Sequence, residues 1–171
     1  MNLTPGKKLN VGSGQRPFDK PWINIDSQEK WKPHVVADCR RMYMFDDNDA
    51  EMIVLHHVIE HFGLGELDDC IRECHRILQP GGSLIVTTPD LNLLCRRWIA
   101  HMIDDYTFCV NLYGAYMGDE ADRHKWLYTG RTLAKALGVA SWKTVKSFDF
   151  RPIENASISC DWWILGCEAI K

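Results

Sequence analysis

The sequence lacks several features that would place it in a specialised class of protein. No apolar run approaches the ~20 residues needed to span a bilayer, and the first residues lack the apolar core of a signal peptide, so we expect a cytoplasmic protein without a membrane partner. An excess of one charge is also missing, since 20 Lys and Arg face 23 Asp and Glu. This balance is not typical of proteins that bind nucleic-acid phosphates, so no nucleic-acid partner is expected.

The cysteines lack the spacing of a zinc ribbon or a disulfide scaffold. There are seven of them, an odd number, and no CxxC pair occurs. This favours reduced, buried side chains. Repeats, low-complexity tracts and linkers are missing as well, and the 171 residues fit one domain at ~150 residues per domain. We therefore predict a single domain over residues 1–171.

Short apolar segments that read as strands alternate with helical patterns. An apolar stripe at helical spacing runs from Glu66 to Leu78 and stops at Gln79-Pro80-Gly81-Gly82, and Thr129 is placed to cap a helix through Leu137. Strands are predicted at residues 9–11, 22–26, 34–38, 52–55, 83–88, 143–150 and 162–170. This order predicts an α/β fold, a doubly wound and mostly parallel sheet with an antiparallel last strand.

The first crossover of this sheet is short. Only eight residues separate Gly14 from Ile23, and two of them are Pro17 and Pro21. A connection between parallel strands usually takes a dozen residues or more. We therefore predict that the first crossover helix is reduced to a turn.

Residues suited to binding a nucleotide follow the ends of the first three strands. Gly12 and Gly14 allow a tight turn and a close approach of the backbone to a ligand. Asp26 can accept both hydroxyls of a ribose, and Asp38 can accept from an adenine amine. Either carboxylate, taken alone, is also compatible with a solvated residue in a turn. Ligands of doubly wound sheets bind at the carboxyl ends of the strands, so the joint placement favours a binding site.

Five segments carry a family resemblance: LNVGSG, INID, VVAD, MIVLHHVIEHF and RILQPGGSLIVTTPD. Over residues 8–90 they resemble the class I S-adenosylmethionine-dependent methyltransferases. Within that superfamily the chain is most similar to small predicted methyltransferases associated with glycan or surface-polysaccharide synthesis. The resemblance implies a Rossmann-like fold, S-adenosylmethionine as cofactor, and methyl transfer to an oxygen or nitrogen of a small molecule or sugar.

The resemblance also assigns cofactor contacts by position. Gly12 and Gly14 would line the methionine part, Asp26 would hold the ribose, and His56 would lie beside the sulfonium. Asn10 stands where the family commonly has an acid near the methionine ammonium. The complete predicted set is Asn10, Gly12, Ser13, Gly14, Asp26, Asp38, Cys39 and His56, with Asp38 and Cys39 against the adenine.

The motif HVIEH, residues 57–61, has the HxxEH spacing of a zinc-peptidase pattern. That chemistry needs both histidines and Glu60 on one continuous helix. Here the motif follows an apolar strand, and Gly63 comes two residues after it. We therefore predict no metal, and a role for His57, Glu60 or His61 in shaping the pocket.

The irregular segment 91–128 is predicted to be a helical lid or insertion on the acceptor side. Its aromatic residues, among them Trp98, Tyr113 and Tyr116, suit either packing of this lid or contact with a cation or sugar ring. His124 lies in its charged part and is the first candidate for a base that takes a proton from an acceptor hydroxyl.

Lesser candidates for the base are His57, His61 and Asp90. Two other functions stay open at this point. A dinucleotide-dependent oxidoreductase would use the same strand, glycine and aspartate pattern, although the GxGxxG motif is incomplete. A non-catalytic cofactor-binding partner subunit, or a homodimer, is compatible with the shortened first crossover.

Overall fold

Seven strands form one sheet in the computed structural model, which describes residues 6–63, 65–115, 119–158, 161 and 163–171. The strands are β1 (Lys7–Val11), β2 (Ile23–Asp26), β3 (Val35–Val36), β4 (Ala50–His56), β5 (Leu78–Pro89), β6 (Thr144–Ser147) and β7 (Ile164–Ile170). Their order across the sheet is β3-β2-β1-β4-β5-β7-β6. The first five are mutually parallel, and β7 runs antiparallel to both β5 and β6. The predicted fold class is confirmed.

Four helices accompany the sheet: α1 (Glu66–Ile77), α2 (Leu91–Ile99), α3 (Asp105–Tyr113) and α4 (Gly130–Leu137). The first turn of α1 carries the acidic residues Glu66 and Asp68, which stabilise the helix by interacting with the positive end of its dipole. A capping box between Thr129 and Thr132 begins α4. Both of these helices were predicted from the sequence. No described helix has the length and apolar character needed to cross a membrane.

The central strands are covered on both faces. Ile53 and Leu55 of β4 pack into the larger core cluster, which also contains the buried residues of α1 and α4. Val54, which points to the opposite face, packs with Phe18 and Trp22 in a second cluster. Burial on both faces explains why β4 is continuously apolar over residues 52–55.

The first crossover contains no helix, as predicted: residues 12–22 form turns and irregular backbone. Phe18 and Trp22 cover the sheet in its place, with their rings edge to face at 5.2 Å between centroids. Asn24 of β2 fixes this turn, because its side chain accepts from the backbone nitrogen of Phe18 (2.8 Å) and donates to the carbonyl of Phe18 (2.9 Å).

Some element boundaries differ from the prediction. β5 begins at Leu78, directly after α1, and residues 79–82 bulge out of it between the pairs Ala50–Leu78 and Met52–Ser83. β3 is only two residues long, and segment 91–128 contains α2, α3 and a 3-10 turn at Glu120–Asp122. The predicted start of the last strand, Trp162, lies outside the described residues.

Candidate functional site

A cleft of about 640 Å³ opens where the parallel strands β1 to β4 end. All eight residues predicted to contact a cofactor line it: Asn10, Gly12, Ser13, Gly14, Asp26, Asp38, Cys39 and His56. They converge because each follows or ends a parallel strand, and parallel strands present their carboxyl ends at one edge. Their individual roles toward a ligand remain predictions.

The glycine turn after β1 depends on the absence of a side chain at Gly12. Its φ angle is 73°, a conformation that residues with a Cβ rarely adopt. A Cβ atom there would lie 2.4 Å from Cγ2 of Val58. The backbone nitrogens of Gly12 and Ser13 donate to the carbonyl of Ile25, over 2.8 and 3.0 Å. At Gly12 the backbone itself therefore forms the cleft wall, without a side chain.

Asp26 is held in place by backbone hydrogen bonds from the turn after β1 and from the residues after β2. Its Oδ2 accepts from the nitrogen of Gly14 and its Oδ1 from the nitrogen of Gln28, each over 2.8 Å. The residue is 8% exposed. A carboxylate oxygen has two lone pairs, so each oxygen keeps one for a further donor. Asp26 can therefore bind hydroxyl groups without losing its own anchors.

Asp38 is paired with Arg40, which also lines the cleft. The guanidinium approaches both carboxylate oxygens, with Nε 3.0 Å from Oδ1 and Nη2 2.6 Å from Oδ2. These hydrogen bonds lower the pKa of Asp38, against a smaller opposing effect of burial. An adenine amine bound to Asp38 would share the carboxylate with Arg40. The sequence did not predict this ion pair.

Two further wall residues are uncharged. A hydrogen bond with Cys70 and burial raise the pKa of the Cys39 thiol, which therefore stays protonated. His56 lies at the end of β4, with Nδ1 2.5 Å from the hydroxyl of Thr87. Burial, assisted by the neighbouring charge of His57, lowers the pKa of His56 to about 3. His56 is therefore a neutral imidazole at physiological pH.

His57 and Glu60 form a hydrogen-bonded pair at the edge of the cleft. Nδ1 of His57 lies 2.9 Å from Oε1 of Glu60, and the hydroxyl of Thr88 donates to Oε2 over 3.1 Å. Glu60 is fully buried. Burial opposes ionisation of Glu60, but the hydrogen bond from His57 and the charges of nearby imidazoles outweigh it and lower the pKa.

The ionised carboxylate can only accept, so Nδ1 of His57 donates this hydrogen bond, and in the neutral form of His57 the lone pair is on Nε2. His57 lines the cleft, and among the described residues its buried Nε2 has no hydrogen-bond partner. The backbone at His57 is left-handed, with φ 57°. Glu60 therefore orients the His57 ring, whose Nε2 is enclosed by the protein.

His61 and His124 meet edge to face, with 5.2 Å between ring centroids. His57 and His61 line the cleft, whereas His124 is not among its described lining residues. Burial lowers the pKa of His124. The assignment of a base among these histidines stays a prediction. Asp90 instead caps α2, accepting from the nitrogens of Asn92 and Leu93.

The zinc-peptidase arrangement is not formed, since Ile59–His61 is a single 3-10 turn and His57 precedes it. The aromatic residues of α2 and α3 also lie away from the cleft. Trp98 stacks on Phe108 with 4.6 Å between centroids, and Tyr113 is exposed. Tyr116 lies outside the described residues.

A separate pocket of about 510 Å³ is lined by residues 98, 99 and 101–105. None of the predicted site residues lines it. From segment 91–128, residues 120–122 and 125 line the main cleft.

Several cleft residues were missed by the sequence interpretation. The aromatic ones are Phe18, Trp31, Phe62 and Trp163, and the charged ones include Arg16, Arg40, Lys125 and Asp161. Trp163 reaches His57, with 5.0 Å between ring centroids, because its carbonyl accepts from the nitrogen of Asp90 and holds the start of β7 beside the end of β5. No local pattern signals this contact.

The chain matches one family model, described as a methyltransferase domain, over residues 18–86. The matched segment runs from the turn after β1 into β5 and includes the ends of β2, β3 and β4. No curated protein sequence matches the chain significantly.

Solved structures share the fold at low sequence identity. A methyltransferase of Archaeoglobus fulgidus described as SAM-dependent is 17% identical, with a TM-score of 0.68 over 98% of this chain and 86% of that one. A methyltransferase of Thermotoga maritima, described as a possible histamine N-methyltransferase, is 16% identical, with a TM-score of 0.63 over 99% and 83%.

A third structure is 1,6-didemethyltoxoflavin-N1-methyltransferase of Burkholderia thailandensis, determined with 1,6-didemethyltoxoflavin and S-adenosylhomocysteine bound. It is 13% identical, with a TM-score of 0.58 over 98% of this chain and 71% of that one. The present chain therefore has the Rossmann-like fold of the class I S-adenosylmethionine-dependent methyltransferases.

Proposed function

We propose that this chain is an S-adenosylmethionine-dependent methyltransferase that binds its cofactor in the cleft at the ends of β1 to β4. One observation carries the proposal: the glycine turn at Gly12 and the Asp26 carboxylate line the same cleft. The carboxylate is anchored by Gly14 and Gln28, and its oxygens still have lone pairs for a ligand. The methyltransferase-domain match over residues 18–86 supports the same conclusion.

The residues of the cleft fit this cofactor. Asp26 would accept the ribose hydroxyls, and the turn at Gly12, which lines the cleft, would lie along the methionine end. The low pKa of His56 keeps its imidazole neutral, so it would not repel a sulfonium cation. The thiol of Cys39 offers an uncharged wall for the adenine.

The bound cofactor supplies a methyl group that is already electrophilic, so positioning contributes much of the rate. Nε2 of His57 is buried, so an acceptor would reach it only after the covering side chains move. It would then take the proton that the acceptor oxygen or nitrogen loses as it bonds to the methyl carbon and the carbon–sulfur bond breaks. Glu60 would stabilise the resulting imidazolium through the hydrogen bond to Nδ1. The products are the methylated acceptor and S-adenosylhomocysteine.

The proposed acceptor is an oxygen or nitrogen of a small molecule or sugar. Trp163 lies against His57, and Phe62 and Trp31 also line the cleft. Aromatic faces at this position suit the apolar face of a sugar or a planar ring. An acceptor from glycan synthesis is proposed on the family resemblance alone.

Calorimetric titration with S-adenosylhomocysteine and S-adenosylmethionine tests the cofactor assignment. We expect Asp26→Ala to weaken binding by roughly 10–100-fold, because hydrogen bonds to a charged group are lost. Asp149→Ala is the matched control, since Asp149 is exposed and pairs with Arg151. Circular dichroism checks that Asp26→Ala folds, and Asp26→Asn provides a milder variant. Absence of binding at millimolar ligand, or binding of NAD instead, would overturn the proposal.

Methyl incorporation separates an enzyme from a binding module. Protein and cofactor with a labelled methyl group are incubated with sets of sugar hydroxyl and amine acceptors. Label transfer supports the enzyme. Binding of S-adenosylhomocysteine without transfer to any acceptor class would instead support the non-catalytic partner subunit.

A further inference from the structure

Glu60, His61 and His124 bring one carboxylate and two imidazoles together beside the cleft. Each offers one ligand atom, and these atoms all lie within 4.8 Å of one another. Glu60 and His61 belong to the turn after β4, whereas His124 comes from the segment before α4. Two histidines and one carboxylate are a common ligand set for divalent zinc and for other first-row transition ions.

Both histidines are oriented as metal ligands are. Nδ1 of His61 lies 3.1 Å from the carbonyl oxygen of Arg123, and Nδ1 of His124 lies 3.0 Å from that of Asn111. A carbonyl can only accept, so each Nδ1 donates, and in the neutral, metal-binding form each Nε2 holds the lone pair. Metal-binding histidines almost always donate their second nitrogen to a carbonyl or carboxylate in this way, which fixes the tautomer.

The two parts of the cluster are joined by backbone hydrogen bonds. The carbonyl of Glu60 accepts from the nitrogens of Lys125 (2.7 Å) and Trp126 (3.1 Å), and the nitrogen of His124 donates to the carbonyl of Tyr113 (3.0 Å). The Glu60 side chain is in turn held by His57 and Thr88. The three ligand residues are therefore held together by the fold.

The charge of the cluster also favours a cation. Glu60 is fully buried, and its carboxylate lies close to both imidazoles. Two nearby cationic side chains pair with other acids: Arg123 with Glu120 at 2.7 Å, and Lys125 with Glu66 at 3.6 Å. Glu60 is hydrogen-bonded to His57 and Thr88, and each of its oxygens keeps a lone pair for a metal ion.

We propose that Glu60, His61 and His124 bind a divalent transition-metal ion, with Zn²⁺ as the first probe. This ligand set differs from the HxxEH peptidase pattern, because His124 takes the place of His57. It would replace the sequence-based expectation that no metal binds. Since His61 lines the cleft, the site lies at its wall. If the proposed function holds, a free coordination position there could bind the acceptor atom.

Metal-depleted protein titrated with Zn²⁺ by calorimetry, and with Co²⁺ by visible absorption, tests the site directly. We expect one ion per chain and a cobalt spectrum typical of nitrogen and oxygen ligands. Saturating Zn²⁺ should raise the Tm by roughly 5–10 °C at a hundredfold excess over Kd. No cofactor is present in these titrations, so their result is independent of whether S-adenosylhomocysteine binds.

The variants His61→Ala and His124→Ala should each weaken Zn²⁺ binding at least ~100-fold, since second-shell changes alone cost 10–100-fold. His75→Ala is the control, because His75 contacts Trp142 and the carbonyl of Ser141 instead. Should His124→Ala not fold, His124→Gln removes the imidazole and retains a donor for Asn111. No binding at micromolar Zn²⁺, or equal binding by wild type and both variants, would overturn the proposal.

Discussion

Nδ1 of His57 lies 2.9 Å from Oε1 of Glu60, a carboxylate with no exposed surface. A buried carboxylate that stays ionised orients its histidine and stabilises the positive charge that forms when the histidine takes a proton. Nε2 of His57 lacks a partner among the described residues. This pair therefore determines which proton acceptor we expect to act in the cleft.

Replacing His57 by Gln should lower kcat by about 100-fold or more, since a positioned base typically contributes that factor or more. The Kd of S-adenosylhomocysteine should change by less than ~3-fold, because a proton acceptor acts on the second substrate. Initial rates with an acceptor found by methyl incorporation give kcat, and calorimetry gives Kd. His75→Gln is the matched control. An unchanged kcat would contradict the assignment of His57 as base.

Replacing Gly12 by Ala should destabilise the protein by about 1–3 kcal/mol, because the new Cβ would meet Val58 and the φ angle is positive. Gly14→Ala should cost less, since nothing lies within 4 Å of a Cβ there. Urea unfolding measures both. The double variant Gly12→Ala with Val58→Ala should recover part of the loss that the clash causes. Equal destabilisation by Gly12→Ala and Gly14→Ala would contradict the role of Val58.

Replacing Asn24 by Ala should cost about 2–4 kcal/mol of unfolding free energy. The change leaves Phe18 without its two hydrogen bonds, and leaves the side-chain nitrogen of Asn10 without its 2.7 Å bond to Asn24. Asn92→Ala, on the exposed face of α2, should change the stability by less than ~0.5 kcal/mol. Urea unfolding compares the two variants. A cost below ~1 kcal/mol for Asn24→Ala would show that the turn holds without this residue.

Lowering the pH from 7 to 5 should destabilise the folded protein through His56. The pKa of His56 is about 3 in the folded protein, against the ordinary value of 6.5 in the unfolded chain. Below pH 6.5 the unfolded chain therefore binds a proton that the folded chain does not, which favours unfolding. The loss is at most about 1.4 kcal/mol per pH unit for one such group.

Urea unfolding of the wild type and of His56→Gln at pH 7, 6 and 5 measures this effect. The wild type should lose more stability than the variant over this range. Part of the slope should remain in His56→Gln, since the pKa of His124 is lowered too. Parallel pH profiles for the two proteins would show that His56 does not contribute.

The sequence by itself determined the order of the elements and the position of the cleft. These elements are visible in local patterns: the apolar stripe of α1, the capping residue Thr129 and the apolar run of β4. The eight predicted cleft residues converge because each lies at the end of a parallel strand or follows it. Strand ends share one edge of the sheet regardless of how the rest of the chain packs.

Only the tertiary structure decided which histidines line the cleft and how the histidines contact one another. His61 and His124 meet because segments 62 residues apart are joined at Arg123, and Trp163 meets His57 because β7 lies beside β5. Such contacts depend on the angles at which distant segments pack. The periodicity of a segment records which of its faces is buried, but not which residue of another segment lies against that face.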